Sequence, residues 1–148
     1  LYSGTVGAAH EAALLGYQSI AVSICSTAPQ HLETAVYAAR WGLAYVQAHP
    51  LPFGTLLNIN APDIPLAQVK GIKPARTCVA SYTLKFVERE DPFGKPYYWP
   101  PRGRHSDAGT NDCDERWAKD GYISVTPLMY DLTDYQLLGG MADVRIEL

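Results

Sequence analysis

The residues of this chain best placed to do chemistry stand at its very start. Ser3, Gly4, Thr5 and Val6 run directly into Gly7-Ala8-Ala9-His10-Glu11-Ala12-Ala13-Leu14-Leu15-Gly16. Ser3 suits a helix N-cap, where its side-chain oxygen accepts an N–H of the first turn. Val6, Ala9, Ala13 and Leu14 recur at three- and four-residue spacing, so one face is apolar, and Gly16 follows as a stop. A helix start presents unpaired N–H groups and the positive end of the helix dipole, which together seat an anion. Gly4 lets a ligand approach the backbone, and Ser3 and Thr5 add hydroxyls. An ordinary capped helix is the simpler reading on residue chemistry alone.

Three further groups carry chemistry-bearing side chains. Asn58 and Asn60 share one face at the end of an extended run, and ligands of open α/β sheets bind beyond the carboxyl ends of strands. Asn60 is therefore a candidate for lining or ordering a site, although a turn asparagine bonding its own backbone before Pro62 is the commoner use. His105, Asp112 and Asp114 offer nitrogen and oxygen donors. Their loop matches no calcium pattern, lacking the required glycine and the closing glutamate. It is expected to be a solvated acidic loop, with Arg102 and Arg104 on solvated surface. Cys25, Cys78 and Cys113 are widely spaced and form no Cys-x-x-Cys pair. Reduced thiols in a cytoplasmic setting are the expectation.

The elements that must hold these residues follow from periodicity. Residues 19–24 are a short apolar run with β-branched members, suited to a parallel strand covered on both faces. Thr27-Ala28-Pro29-Gln30 matches a capping box, and Leu32, Ala35, Val36, Ala39, Leu43 and Val46 keep helical spacing until His49-Pro50-Leu51-Pro52 ends it. Residues 55–60 form the next strand, so the order helix, strand, helix, strand implies a crossover between parallel strands. A short extended piece is expected around Ile72. Residues 78–87 alternate with a period of two and return through Tyr97-Tyr98-Trp99, with Asp91-Pro92-Phe93-Gly94 as a type I turn. Residues 78–99 therefore predict a long hairpin, which is marginal alone and needs a surface to lie on. Its own domain and an exchange between subunits are both open. Residues 121–128 predict a strand closed by Pro127, and Thr133-Asp134-Tyr135-Gln136 a second capping box, its helix stopped by Gly139-Gly140.

Composition narrows the function classes. A length of 148 residues suits one domain, and 47% hydrophobic content supports a core. The net charge of −3 gives no basic face for nucleic acid. No apolar run has transmembrane length, so no membrane partner is expected. Residues 1–62 carry only Glu11, Glu33 and Arg40 as charges, as an interior α/β layer would, while the rest holds the others. No strand precedes the turn at Ser3, yet an anion turn in an α/β protein normally hangs from a strand. The chain is thus expected to be a piece of a longer protein, cut inside a site.

Taken together the segments resemble the SurE family, the stationary-phase survival proteins that act as metal-dependent 5′/3′-nucleotidases. The resemblance rests on Tyr2-Ser3-Gly4-Thr5-Val6 before an alanine-rich helix, Ile20-Ala21-Val22-Ser23, and Leu57-Asn58-Ile59-Asn60-Ala61-Pro62-Asp63. It continues through Lys70-Gly71-Ile72, Asp91-Pro92-Phe93-Gly94 with Tyr98-Trp99, Gly121-Tyr122-Ile123-Ser124-Val125-Thr126-Pro127-Leu128 and Asp131-Leu132-Thr133. The ordered set is specific where each piece alone is weak. It implies an α/β, Rossmann-like three-layer fold whose N-terminal strands are missing here, with a projecting β-hairpin. Residues 1–148 would be the C-terminal part of a single domain, 78–99 the hairpin and 129–148 a C-terminal segment. The implied activity is phosphomonoester hydrolysis of nucleoside monophosphates with a divalent metal cation, Mg2+ or Mn2+. A homodimer or homotetramer would form through the hairpin and the C-terminal segment.

The family's metal ligands, an Asp-Asp pair, a serine and an asparagine, precede the stretch matched here. The resemblance therefore carries over only the phosphate side of the site: Ser3, Gly4, Thr5 and Val6, with Asn60 as a lining residue. No catalytic residue and no metal ligand is carried over, and the chain alone is expected to be inactive. His10 and Cys113-Asp114 depart from the family pattern, His10 as a packing substitution. A non-catalytic anion-binding or oligomerisation module is the alternative. A dinucleotide enzyme ranks last, since the turn lacks the Gly-x-Gly-x-x-Gly spacing.

Overall fold

The computed structural model describes residues 3–79, 81–83, 86–99, 104–106 and 112–141. In chain order the elements are α1 (Gly4–Leu14), β1 (Ser19–Ile24), α2 (Leu32–Ala48), β2 (Thr55–Ala61), β3 (Ile72–Pro74), β4 (Ser81–Thr83), β5 (Val87–Glu90), β6 (Pro96–Trp99), β7 (Arg104–Ser106), α3 (Asp114–Lys119), β8 (Ile123–Met129) and α4 (Tyr135–Gly140). Among these residues no helix is long and apolar enough to cross a membrane. Tyr2, Leu84, Arg102 and residues 142–148, all drawn on above, lie outside the described residues, as do the side chains of Tyr82, Arg104 and His105.

One four-stranded sheet, in the order β1-β2-β8-β3, forms the centre. The two apolar runs pair in parallel as expected, Ser19 opposite Leu56 and Ile24 opposite Ala61. Period-two alternation sends their side chains to two different helices. Ala21 and Leu56 pack on Ala9 and Ala13 of α1, with Val6 and Leu128 alongside. Leu57, Ile59 and Ala61, with Ile123 and Val125 of β8, pack on Ala38 and Val46 of α2. Helices therefore cover both faces, and the three-layer α/β architecture follows.

Strand β8 runs antiparallel to β2, with Ile59 opposite Val125, and parallel to β3. It continues through Pro127 to Met129 rather than ending at the proline. Ile123 N donates to Gly71 O at 3.0 Å, and Val125 O accepts from Ala75 N at 2.9 Å. Alternate residues of β8 thus address β3. Pro127 is next in that series and lies beyond Pro74, where β3 has stopped, so no ladder bond needs its missing N–H.

Helix α2 buries a different face from the one its large side chains suggest. Thr34, Ala38, Gly42 and Val46 are buried, while Leu32, Val36 and Leu43 are more than half exposed, at 58%, 51% and 52%. Small residues at four-residue spacing let the helix sit close on the sheet. A Cβ at Gly42 would stand 2.5 Å from Ile59 Cδ1. The start of α2 also departs from expectation. The Thr27 capping box is not used, and the N-cap residue is His31. Asp63, just past β2, accepts from the backbone N–H of Gln30 and of His31, each at 2.9 Å. The Gln30 bond is the main reason its carboxyl is held below the ordinary value, the bonds favouring the charged form. At α4 the cap is Asp134, accepting from Leu137 N at 2.9 Å, not Thr133, and Gly139 and Gly140 lie inside the last turn.

The hairpin forms but with other boundaries. β5 and β6 pair antiparallel, Val87 opposite Trp99, and β4 pairs with β7 rather than within 78–99. The arm therefore extends to Ser106. Its turn is built by Asp91, whose side chain accepts from Phe93 N at 2.8 Å and Lys95 N at 2.9 Å, with Gly94 at φ +78. Every residue of β5 and β6 is exposed.

Gly42→Ala should cost roughly 1–2 kcal/mol, as overpacking forces Ile59 out of its rotamer in a closed core. In an Ile59→Val background, which removes Cδ1, the same change should cost less. Urea unfolding of the four proteins checks this, and equal losses in both backgrounds would contradict it.

Candidate functional site

The site lies at the carboxyl edge of the sheet. β1 and β2 are parallel, so Ile24 and Ala61 stand side by side there. Helix α1 brings its N-terminus to the same edge because a short turn joins it antiparallel to β1. Its residues Thr5, Ala8, Ala9 and Ala12 line one wall of a shallow cleft of about 430 Å³ that runs down the length of the helix, past Val22, to Tyr17 and Gln18 at the amino end of β1. Ser3 caps the helix as expected, accepting from Val6 N at 3.3 Å, and Ser3 O accepts from Gly7 N at 2.9 Å. Val6 N–H is thereby engaged. Gly4 and Thr5 are exposed, and the first N–H groups of a helix have no carbonyl one turn back. What the turn offers an anion is two hydroxyls and the N–H groups of Gly4 and Thr5. Val6 itself is half-buried against the sheet.

Asn60 is not a turn asparagine bonding its own backbone. It lies in β2, and its Nδ2 reaches Asp114 Oδ2 at 3.4 Å. Asp114 is a hub. Its Oδ1 accepts from Cys78 N at 3.0 Å and from Glu115 N at 2.8 Å. Its own N–H donates to Arg76 O at 3.0 Å, and Arg76 forms an isolated parallel bridge with Cys113. Arg76 Nε in turn pairs with Asp112 Oδ1 at 2.8 Å. The end of β2, the segment leading to the arm and the first turn of α3 are thus joined at one carboxylate.

This corrects the reading of residues 105–115 as a solvated acidic loop in its described parts, 105–106 and 112–115, residues 107–111 lying outside the described residues. Part of that segment is strand, part is the start of α3, and Asp114 is half-buried. Neither α3 nor the convergence of two cysteines is expected from periodicity and spacing. Cys78 and Cys113 each offer a sulfur, and Asp114 a carboxylate oxygen, with these atoms within 4.8 Å of one another. The signal that could flag the place is Cys113-Asp114 itself, a departure from the resembled pattern next to an acid. On the same face as Asn58 and Asn60, Ser124 Oγ and Thr126 Oγ1 are buried and find no hydrogen-bond partner among the described residues. His10 packs edge-on to Tyr130, ring centres 6.0 Å apart.

Comparison with known proteins places the chain among relatives. A family model described as Survival protein SurE matches residues 1–84. A protein named 5'-nucleotidase SurE from Legionella pneumophila subsp. pneumophila strain Philadelphia 1 is 38% identical over 149 residues, covering 100% of this chain and 59% of that protein. One of the same name from Aeromonas hydrophila is 40% identical over 142 residues, covering 95% of this chain and 55% of its own length. The crystal structure of SurE protein from Aquifex aeolicus is similar with a TM-score of 0.72 and 34% identity, over 95% of this chain and 56% of that one. The chain therefore spans less than two thirds of the relatives it matches.

The Cys78 thiol is pushed up to about 11, first by its hydrogen bond to Cys113 and then by burial. The unfolded chain gives up this proton near 9.0 and the folded chain near 11, so folding favours the neutral thiol. The stabilisation is whole below the ordinary thiol value and is lost as pH rises through the folded one. With reductant and a chelator present, wild-type stability should fall more steeply than that of Cys78→Ser across this window. Parallel pH profiles would contradict the assignment.

Proposed function

The chain belongs to the SurE family, and from that membership we propose that it forms the phosphate-binding side of a nucleotidase acting on nucleoside monophosphates. The observation that carries the proposal is the exposed start of α1. Ser3 and Thr5 hydroxyls and the Gly4 and Thr5 N–H groups stand at the carboxyl edge of two parallel strands. Such donors match the non-bridging oxygens of a phosphomonoester and hold them as charge shifts during hydrolysis. Asn60 contributes from β2 as a lining residue, held by Asp114. Relatives that carry the name 5'-nucleotidase support the reading.

The divalent cation implied for the family does not fit the donors of this chain. No adjacent Asp-Asp pair occurs in the sequence. The cluster of ligating groups found among the described residues is two thiols and one carboxylate, whereas Mg2+ and Mn2+ prefer oxygen donors. The part Ser3, Gly4 and Thr5 play is to bind and orient a phosphate. In this reading residues 1–148 are the C-terminal part of a single domain in a cytoplasmic enzyme. A non-catalytic anion-binding or oligomerisation module is the second reading, favoured by that same donor set.

The arm fits a second copy of this chain. Phe86, Phe93, Tyr98 and Trp99 are each more than half exposed, and rings of this kind anchor interfaces. The segment from residue 129 onward is assigned to the same association, giving a dimer or tetramer.

The 148-residue chain should hydrolyse no nucleoside monophosphate above background with Mg2+ or Mn2+. Turnover that rises with the cation would contradict this. Titration with a nucleoside monophosphate should move the amide resonances of Gly4 and Thr5, and Thr5→Ala should weaken binding about tenfold, the worth of a hydrogen bond to a charged group. Binding with both amides unmoved would remove the turn from the site.

A further inference from the structure

Three side chains outside the anion turn converge as ligands do. The sulfurs of Cys78 and Cys113 and a carboxylate oxygen of Asp114 all lie within 4.8 Å of one another. They come from two separate stretches whose backbones are tied together. Asp114 N donates to Arg76 O at 3.0 Å, Cys78 N donates to Asp114 Oδ1 at 3.0 Å, and Arg76 bridges to Cys113. The donors meet because the chain is fixed beneath them, which is the preorganisation a metal site needs.

The chemistry and the spacing select the ion. A tetrahedral centre with bonds of about 2.0–2.3 Å sets its ligands about 3.4–3.8 Å apart, so closing this cluster takes a shift of about 1 Å. Two thiolates with one carboxylate suit a borderline-soft ion and not a hard one. Asp114 Oδ1 accepts two backbone N–H bonds that orient the carboxylate, while among the described residues Oδ2 carries only the long contact from Asn60, which leaves it a lone pair for a cation. Cys113 is buried, and Cys78 and Asp114 are half-buried, so the cluster opens to solvent on one side.

We propose that Cys78, Cys113 and Asp114 form a site for Zn2+, with three protein ligands and the fourth position taken by water. Binding releases the two thiol protons to solvent and leaves the oxidation state of metal and sulfur unchanged. The site differs in donor chemistry from the family's oxygen-donor set and stands whether or not the start of α1 holds a nucleotide.

The test uses the reduced 148-residue chain and Co2+ alone as the optical probe. One Co2+ per chain should give a thiolate-to-metal charge-transfer band with the intense visible bands of a tetrahedral centre, and Zn2+ should displace it. Cys78→Ser and Cys113→Ser should each weaken binding at least ~10-fold. Asp114→Asn should weaken it and keep the charge-transfer band. Cys25→Ser should change nothing. A folded wild-type chain without the band, a band that survives both the Cys78 and the Cys113 change, or its loss in Cys25→Ser would overturn the proposal. A second measurement needs no variant: Zn2+ should slow alkylation of Cys78 and Cys113 and leave Cys25 unaffected. Equal rates with and without Zn2+ would overturn the site on the wild-type protein.

Discussion

One carboxylate holds the carboxyl edge of the sheet together. Asp114 accepts from Cys78 N and Glu115 N through one oxygen and meets the Asn60 amide with the other. Bonds from N–H groups to an ionised carboxylate are shorter and stronger than neutral ones. They join three parts of the chain: the end of β2, the segment leading into the arm, and α3. The position of Asn60 and the meeting of the two cysteines both follow from this tie.

Asp63 plays the corresponding part for α2. It sits beyond the end of β2 and accepts the N–H groups of Gln30 and His31, where the local sequence offers Thr27 as a cap. Both acids bond across more than thirty positions, at separations of 32 and 36 residues for His31 and Cys78. The carboxyl edge is thus built by long-range bonds from acids that follow or face the central strand. Around it stand the exposed, Ser3-capped start of α1 and a thiol–carboxylate cluster at α3, two places of different chemistry on one scaffold.

What can be read from the sequence is what local physics controls. Periodicity places β1, β2, α1 and the end of α2 within a residue or two, while α2 starts well after the Thr27 cap, and Ser3 is legible as a cap because its partner lies three residues away. The arm's turn is legible for the same reason, since Asp91 and Gly94 act within five residues. The buried face of α2 is not, because the sheet selects small side chains for close approach while large apolar residues draw attention instead. Pro127 reads as a strand end, although β3 stops short of it and leaves room for a proline. The Cys78–Cys113–Asp114 cluster is invisible, since no spacing rule covers ligands brought together by tertiary bonds. The family resemblance reaches the anion turn but says nothing of that cluster.

The most direct test of Asp114 as the tie is amide hydrogen exchange on the wild-type chain and Asp114→Ala. The amides of Cys78 and of residue 114 should lose protection together in the variant. Those of β1 and the centre of α2 should keep theirs. Unchanged protection at both positions would contradict the account, because the edge would then be held by something other than this carboxylate.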